Sequence, residues 1–281
     1  MIKPKLHTFL ILLAISQAKN GYTQISNFAI AGTGHSLGFT WISLTNPWSG
    51  MQNRAALANQ REFWVGAHHE NRFMLTELGS SMLGIALPVK PGTFGVDVSH
   101  FGFSGFNTGR VGLGYGMYLG KRFTAGIGLA YTRLQLPADY RSANAFTVEG
   151  GIHYIPTERL TVGFYVFNPT SSSFDDLGDL PTLMGIGLTY NPSARVMLVM
   201  QVDDDTQRSP AVRCGLEYRV MERTALRLGY SAASPEGITV GIGFPIMNFD
   251  IDLSLSHHQT LGFTPSLSVA YLFRKKEVVT Q

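Results

Sequence analysis

The chain has 281 residues, of which 15% are charged, 44% hydrophobic and 31 glycine. Soluble domains usually carry about 25% charge and about 7% glycine, so this chain is weakly charged and glycine-rich, yet too apolar for disorder. Its one long uninterrupted apolar run, Phe9 to Ile15, is far below the roughly 20 residues of a spanning helix, which excludes a helical membrane bundle.

Lys3 and Lys5, the run Phe9 to Ile15, and Ser16-Gln17-Ala18 read together as a secretory signal peptide over residues 1–18. Cleavage after Ala18 removes two of the 22 basic residues, leaving 20 against 19 acidic ones and a net charge of about +1. The sequence pI near 9.0 therefore reflects no basic stripe, and nucleic acid is not an expected partner. Cys214 is the single cysteine, so no internal disulfide forms.

From Phe63 onward the chain alternates with period two. Val111, Leu113, Tyr115, Met117 and Leu119 are separated by Gly112, Gly114, Gly116 and Tyr118; Phe123, Ala125, Ile127, Leu129 and Tyr131 repeat the pattern. One apolar and one small or polar face is a strand signature. Fourteen such segments are read, near 61–69, 77–88, 93–102, 108–119, 122–135, 144–155, 159–168, 182–190, 194–203, 210–220, 224–232, 237–245, 248–257 and 263–273. Every second connection is short, as at Gly120-Lys121 and Ile246-Met247. The others are mostly longer and more polar, as at Leu136 to Ala143 and Pro169 to Pro181. An even strand number with this alternation predicts a transmembrane antiparallel β-barrel, all-β, of about fourteen strands. Lipid offers the backbone no hydrogen-bond partner, so such a sheet must close. Phe123, Tyr154, Tyr190, Tyr218, Phe249 and Tyr271 fall near strand ends, as interfacial girdles require.

Residues from about 25 to 60 do not alternate cleanly, and Ala31-Gly32-Thr33-Gly34 and Asn46-Pro47-Trp48-Ser49-Gly50 read as turns. About eight strands already make a lumen that side chains can fill, so fourteen leave it too wide. Residues 19–60 are thus expected to fold into the lumen as an N-terminal hatch, with 61–273 as barrel and 274–281 as a periplasmic tail.

Trp48-Ser49, Asn53-Arg54-Ala55-Ala56-Leu57-Ala58, Glu70-Asn71-Arg72-Phe73, Phe167-Asn168-Pro169-Thr170 and His258-Gln259-Thr260-Leu261-Gly262-Phe263-Thr264-Pro265 carry a resemblance. With them the chain resembles the FadL/PorV-like outer-membrane barrels of bacteria with type IX secretion. The hatch stretch is similar to that family's Asn-Pro-Ala-Gly-Leu-Ala motif, with Arg54 and Ala56 in place of Pro and Gly. The resemblance implies an outer-membrane scaffold or partner subunit in protein secretion or surface-protein handling. Its FadL side implies the alternative, a passage for hydrophobic small molecules. Outer-membrane lipids are the implied surroundings, with secretion-system proteins or a hydrophobic ligand as partners.

On the alternation, Asp97, Glu149, His153, Arg213, Glu217, Arg219, Arg227, Asp250 and Asp252 face away from the apolar side. A basic residue facing lipid costs several kcal/mol, so all nine are assigned to the lumen, as ion pairs bracing the interior, as a polar pore wall or as docking points for the hatch. No enzyme activity, cofactor or metal is expected. Asp252, Ser254, Ser256 and His258 share one strand face, but next-but-one neighbours lie roughly 7 Å apart, beyond the reach of a hydrolase triad. Asp175-Asp176, Asp179 and Asp203-Asp204-Asp205 read as solvated loop charge. The pairs His68-His69 and His257-His258 point to opposite strand faces and make poor chelates.

Overall fold

The computed structural model describes residues 29–137, 142–174, 178–207, 209–221, 224–233 and 237–273. The expected signal peptide, the C-terminal tail and Asp175-Asp176 lie outside these residues.

Fourteen strands form one closed antiparallel barrel, each pairing with the next in sequence. They are β1 (Phe63–Asn71), β2 (Gly79–Pro88), β3 (Gly92–Phe103), β4 (Phe106–Tyr118), β5 (Phe123–Gln135), β6 (Ala143–Thr157) and β7 (Leu160–Phe167). The second half comprises β8 (Leu183–Ser193), β9 (Val196–Asp205), β10 (Ala211–Arg219), β11 (Ala225–Ser231), β12 (Ile238–Ile246), β13 (Phe249–His258) and β14 (Gly262–Phe273). Closure runs from Phe63 opposite Phe273 to Glu70 opposite Ser266. No strand edge is left for another chain to pair with along this seam.

The faces follow the alternation. On β5, Phe123, Ile127 and Leu129 are exposed, while Thr124, Ala130 and Thr132 are buried. Large apolar side chains are exposed all around the outside, Ile127 at 70%. In water so broad an apolar surface would aggregate; as a lipid-facing belt it is what a spanning barrel requires. Aromatic pairs close the belt toward the short turns: Phe94 with Tyr115, Phe123 stacked on Tyr154, and Phe249 against Tyr271.

One expectation about the strands needs correction. Asp203 to Asp205 are not loop residues, because β9 continues through Asp205. Asp203 and Asp205 point inward and are buried, and only Asp204 is exposed. Their acidity suggested a loop, but Asp203 pairs with Arg213, which offsets the cost of burial. The connections on the long-loop rim include one short turn. β3 reaches β4 through Ser104-Gly105 alone, where Gly102 adopts a left-handed φ of 103°.

Cys214 lies on β10 facing outward with Val212 and Leu216, and it is exposed. In intact membranes a charged maleimide should react with it slowly, and rapidly after denaturation. Fast labelling from water without detergent would place the opposite face of β10 toward lipid.

Candidate functional site

The lumen is occupied by residues 29–60. They hold one α-helical turn (Thr33–Ser36) and two 3-10 helices (Ser49–Met51 and Arg54–Asn59), joined by irregular backbone. Such backbone at membrane depth needs partners, and wall side chains supply them. Ser268 Oγ accepts from the Gly32 amide (2.8 Å) and Thr239 Oγ1 from the Gly38 amide (2.9 Å). Gln201 Oε1 accepts from the Trp41 and Ile42 amides at 2.9 and 3.1 Å. The Ile42 carbonyl accepts from Asn53 Nδ2 (2.7 Å) and from His153 Nε2 (2.8 Å).

Glycines on the lumen face let the hatch come this close. A Cβ at Gly126 would collide with the Arg54 carbonyl group, and one at Gly229 with the Gly38 amide nitrogen. The Gly-x-Gly periodicity thus provides the seat for the hatch backbone. An apolar seam beside it fixes the hatch against β1, with Trp48 edge-on to Trp64 at 4.8 Å and Met51, Leu57, Met82 and Ala86 packed around them.

At the centre lies Arg54. Asn53 caps its 3-10 helix, accepting from the Ala55 amide at 3.1 Å. Ala55, Ala56, Leu57 and Ala58 are buried along that helix, Leu57 in the space left by Gly95. Arg54 Nε donates to Glu149 Oε1 (2.7 Å), and Nη2 donates to Asp97 Oδ1 (2.5 Å). Arg110 on β4 also donates to Asp97 and reaches Glu149 Oε2 at 3.2 Å; Tyr165 Oη donates to the same carboxylate at 2.9 Å. Two guanidinium groups and two carboxylates balance one another in a buried cluster, with side-chain exposures of 9% or less.

The other inward charges form smaller groups. Arg213 engages Asp203 through Nε (2.9 Å), and Asp203 also accepts from Gln201 Nε2 (2.8 Å). Arg227 joins Glu217 (Nε to Oε2, 2.8 Å) to Asp252. Arg219, expected inside the lumen, is half exposed at the end of β10, although its Nε still donates to Glu217 at 3.1 Å. At a strand end the inward direction opens onto solvent, which the alternation alone does not register. Asp250 is half-buried, two residues from Asp252 toward the short-turn rim.

Several residues escaped the sequence reading. Arg110 shares the small-residue face of β4 with Gly112 and Gly114, so parity alone assigns it to the lumen. Glu70 is the hub of a second hatch contact. It accepts from Arg72 Nε (2.7 Å) and lies 3.2 Å from Nε2 of His35 in the hatch, with His68 Nε2 at 3.9 Å. Nothing periodic links His35 to Glu70. His35 Nδ1 also meets Ser254 Oγ at 2.8 Å, which completes a serine–histidine–carboxylate chain that β13 alone could not make. His35 is wholly buried, and the chain ties the hatch to β13 and β1. Toward the long-loop rim, Asn168 (φ 53°) donates through Nδ2 to the Ser172 and Leu180 carbonyls and accepts from the Ser172 amide. It thereby holds Phe174, wholly buried against Leu134, Ala143, Ala145 and Leu180.

Between hatch and wall remains a cavity of about 30 Å³, lined by Trp41, Met51, Met82, Arg110, Tyr165 and Leu183 among others. That volume suits about two waters, whereas a benzene-sized guest needs about 150 Å³. Among the described residues no cluster of His, Cys, Asp and Glu fits a metal ion.

No family model matches the sequence, and no curated protein matches it. Solved structures do. The TodX monoaromatic hydrocarbon channel, in a deltaS2 mutant form, matches with a TM-score of 0.65 at 13% identity, over 85% of this chain and 97% of that one. The Ralstonia pickettii toluene transporter TbuX matches with a TM-score of 0.59 at 11% identity, over 85% and 96%. A Pseudomonas aeruginosa FadL homologue matches with a TM-score of 0.60 at 12% identity, over 86% and 98%. The fold is FadL-like. At such identities the likeness is one of architecture, and no site residue carries over from it.

Proposed function

We propose that this chain is an outer-membrane β-barrel that passes hydrophobic small molecules and is held shut in this conformation by its hatch. The observation that carries the reading is the shared architecture with barrels described as hydrocarbon channels and toluene transporters. The short-turn rim, where β1 begins and β14 ends, is then the periplasmic face. Beside the Arg54 cluster, Ile30, Trp41, Tyr165 and Leu183 give the cavity an apolar side suited to an aromatic or aliphatic guest. The cavity between hatch and wall, about 30 Å³, is too small for such a guest, so passage requires the hatch to move first.

A second reading is favoured by the same closure. A lumen sealed by buried ion pairs suits a scaffold or partner subunit in protein secretion or surface-protein handling of the type IX kind. Uptake separates the two. Cells deprived of their own FadL-type channels and expressing this chain should accumulate labelled toluene or a long-chain fatty acid several-fold faster than cells without it. Unchanged uptake, with a surface and secreted proteome altered by deletion of the gene from its own host, would establish the scaffold instead.

A further inference from the structure

The exposed cations are distributed unevenly between the two rims. Arg61, Lys90, Lys121, Arg122, Arg159, Arg195 and Arg219 are all exposed at the short-turn end. Arg133 is the one exposed Lys or Arg at the other end among the described residues, where Glu77, Asp179 and Asp204 are exposed. Arg54, Arg110, Arg213 and Arg227 are committed inside the lumen. Arg61 lies over the Tyr118 ring (5.3 Å), and Arg219 leans on Glu217. Lys90, Lys121, Arg122, Arg159 and Arg195 instead occupy four successive turns around the barrel, and no carboxylate among the described residues pairs with them. Glu62 and Glu158 are the neighbouring acids on this arc.

Their place relative to the lipid belt identifies the occupant. Leu87 and Val89 are exposed beside Lys90; Leu119 and Phe123 flank Lys121 and Arg122; Tyr190 precedes Arg195. Lys90, Lys121 and Arg122 thus stand one or two positions beyond the last exposed apolar side chain, and Arg159 and Arg195 precede the half-buried Leu160 and Val196 at the starts of their strands, at the depth where aromatic side chains give way to headgroups. A Lys or Arg there keeps its stem on apolar surface and extends its charge into the phosphate layer.

We infer that this arc, Lys90, Lys121, Arg122, Arg159 and Arg195, binds the headgroups of anionic phospholipids in the leaflet at the short-turn rim. The inference rests on the barrel spanning a bilayer and is independent of what the barrel passes. An acidic protein docking from the aqueous side would need the charges gathered on the end surface, whereas these follow the perimeter of the belt.

The test uses the full chain in nanodiscs of equal phosphatidylglycerol and phosphatidylcholine, with the lipids retained by the barrel counted by native mass spectrometry. Formation of the folded complex verifies insertion by itself. Phosphatidylglycerol should be enriched about fivefold over phosphatidylcholine. The enrichment should fall as ionic strength rises before transfer, since surface charge is screened within about 3 Å at 1 M. The combined variant Lys90→Gln, Lys121→Gln, Arg122→Gln, Arg159→Gln and Arg195→Gln should retain both lipids equally. Should that variant not fold, the salt series on the unaltered chain decides. Equal retention by the unaltered chain, or enrichment indifferent to salt, would overturn the inference. Binding of a poly-glutamate peptide without lipid preference would overturn it in favour of an acidic protein.

Discussion

Replacing Arg54 with Ala should release the hatch while leaving the barrel closed. Arg54 divides its guanidinium between Asp97 and Glu149, and both carboxylates are almost wholly buried. Without it, Arg110 alone faces two negative charges. Breaking a buried ion cluster by removing one partner costs about 3–5 kcal/mol, because the charge left behind has no water. Arg54 belongs to the hatch, so that cost falls on the docked state and spares the strand ladder. The released population should rise by a factor on the order of 10²–10⁴. Limited proteolysis should therefore cut within 29–60 much faster in Arg54→Ala, while the barrel band keeps its heat-modifiable mobility. Arg54→Lys should fall between, since an ammonium lacks the planar fork that spans two carboxylates. Combining Arg54→Met with Asp97→Asn should restore most of the protection, because Arg110 and Glu149 then balance one another and no excess charge remains in the cluster. Unchanged cleavage in Arg54→Ala would show that the apolar seam around Trp48 and Trp64 holds the hatch alone.

How far these features could be read beforehand depends on whether they are periodic. The wall was legible because a strand repeats every two residues. The assignment of Asp97, Glu149, His153, Arg213, Glu217, Arg227 and Asp252 to one face is a matter of parity; six of them are buried there and Arg227 is half-buried, paired with Glu217 and Asp252. Arg110 obeys the same parity but stands beside three glycines of its face, where it reads as an isolated strand-end charge. Asp203 was misplaced because composition was weighed above parity: three aspartates look like a loop, yet they alternate inward and outward like their neighbours. The hatch has no period at all. Its contacts join residues such as His35 and Glu70, or Gly38 and Thr239, that are far apart in sequence. Arg54 is the sharpest instance. Set against the family motif it is a departure that removes a proline; in the structure it is the anchor of the hatch, seated beside Gly112, Gly114 and Gly128.

The hatch also sets the electrical behaviour, and its removal should have the largest effect of all. The intact chain should give no resolved current in a planar bilayer, since residues 29–60 occupy the lumen and the cavity beside them measures only about 30 Å³. Deleting residues 29–60 should turn it into a conducting pore. Sixteen strands leave an open channel and eight a filled one, and the glycines that seat the hatch add width once it is gone. The pore should also prefer cations. Arg54 and His35 leave with the hatch, so Glu70, Asp97, Glu149, Asp203, Glu217 and Asp252 remain on the wall against Arg72, Arg110, Arg213 and Arg227. Rings of excess acid select cations in water-filled pores. The reversal potential across a potassium chloride gradient should accordingly lie on the potassium side in the deletion variant. A porin-like current from the intact chain would mean that residues 29–60 do not seal the lumen in a membrane. An anion-selective deletion pore would mean that the wall carboxylates are neutralised by something other than Arg54.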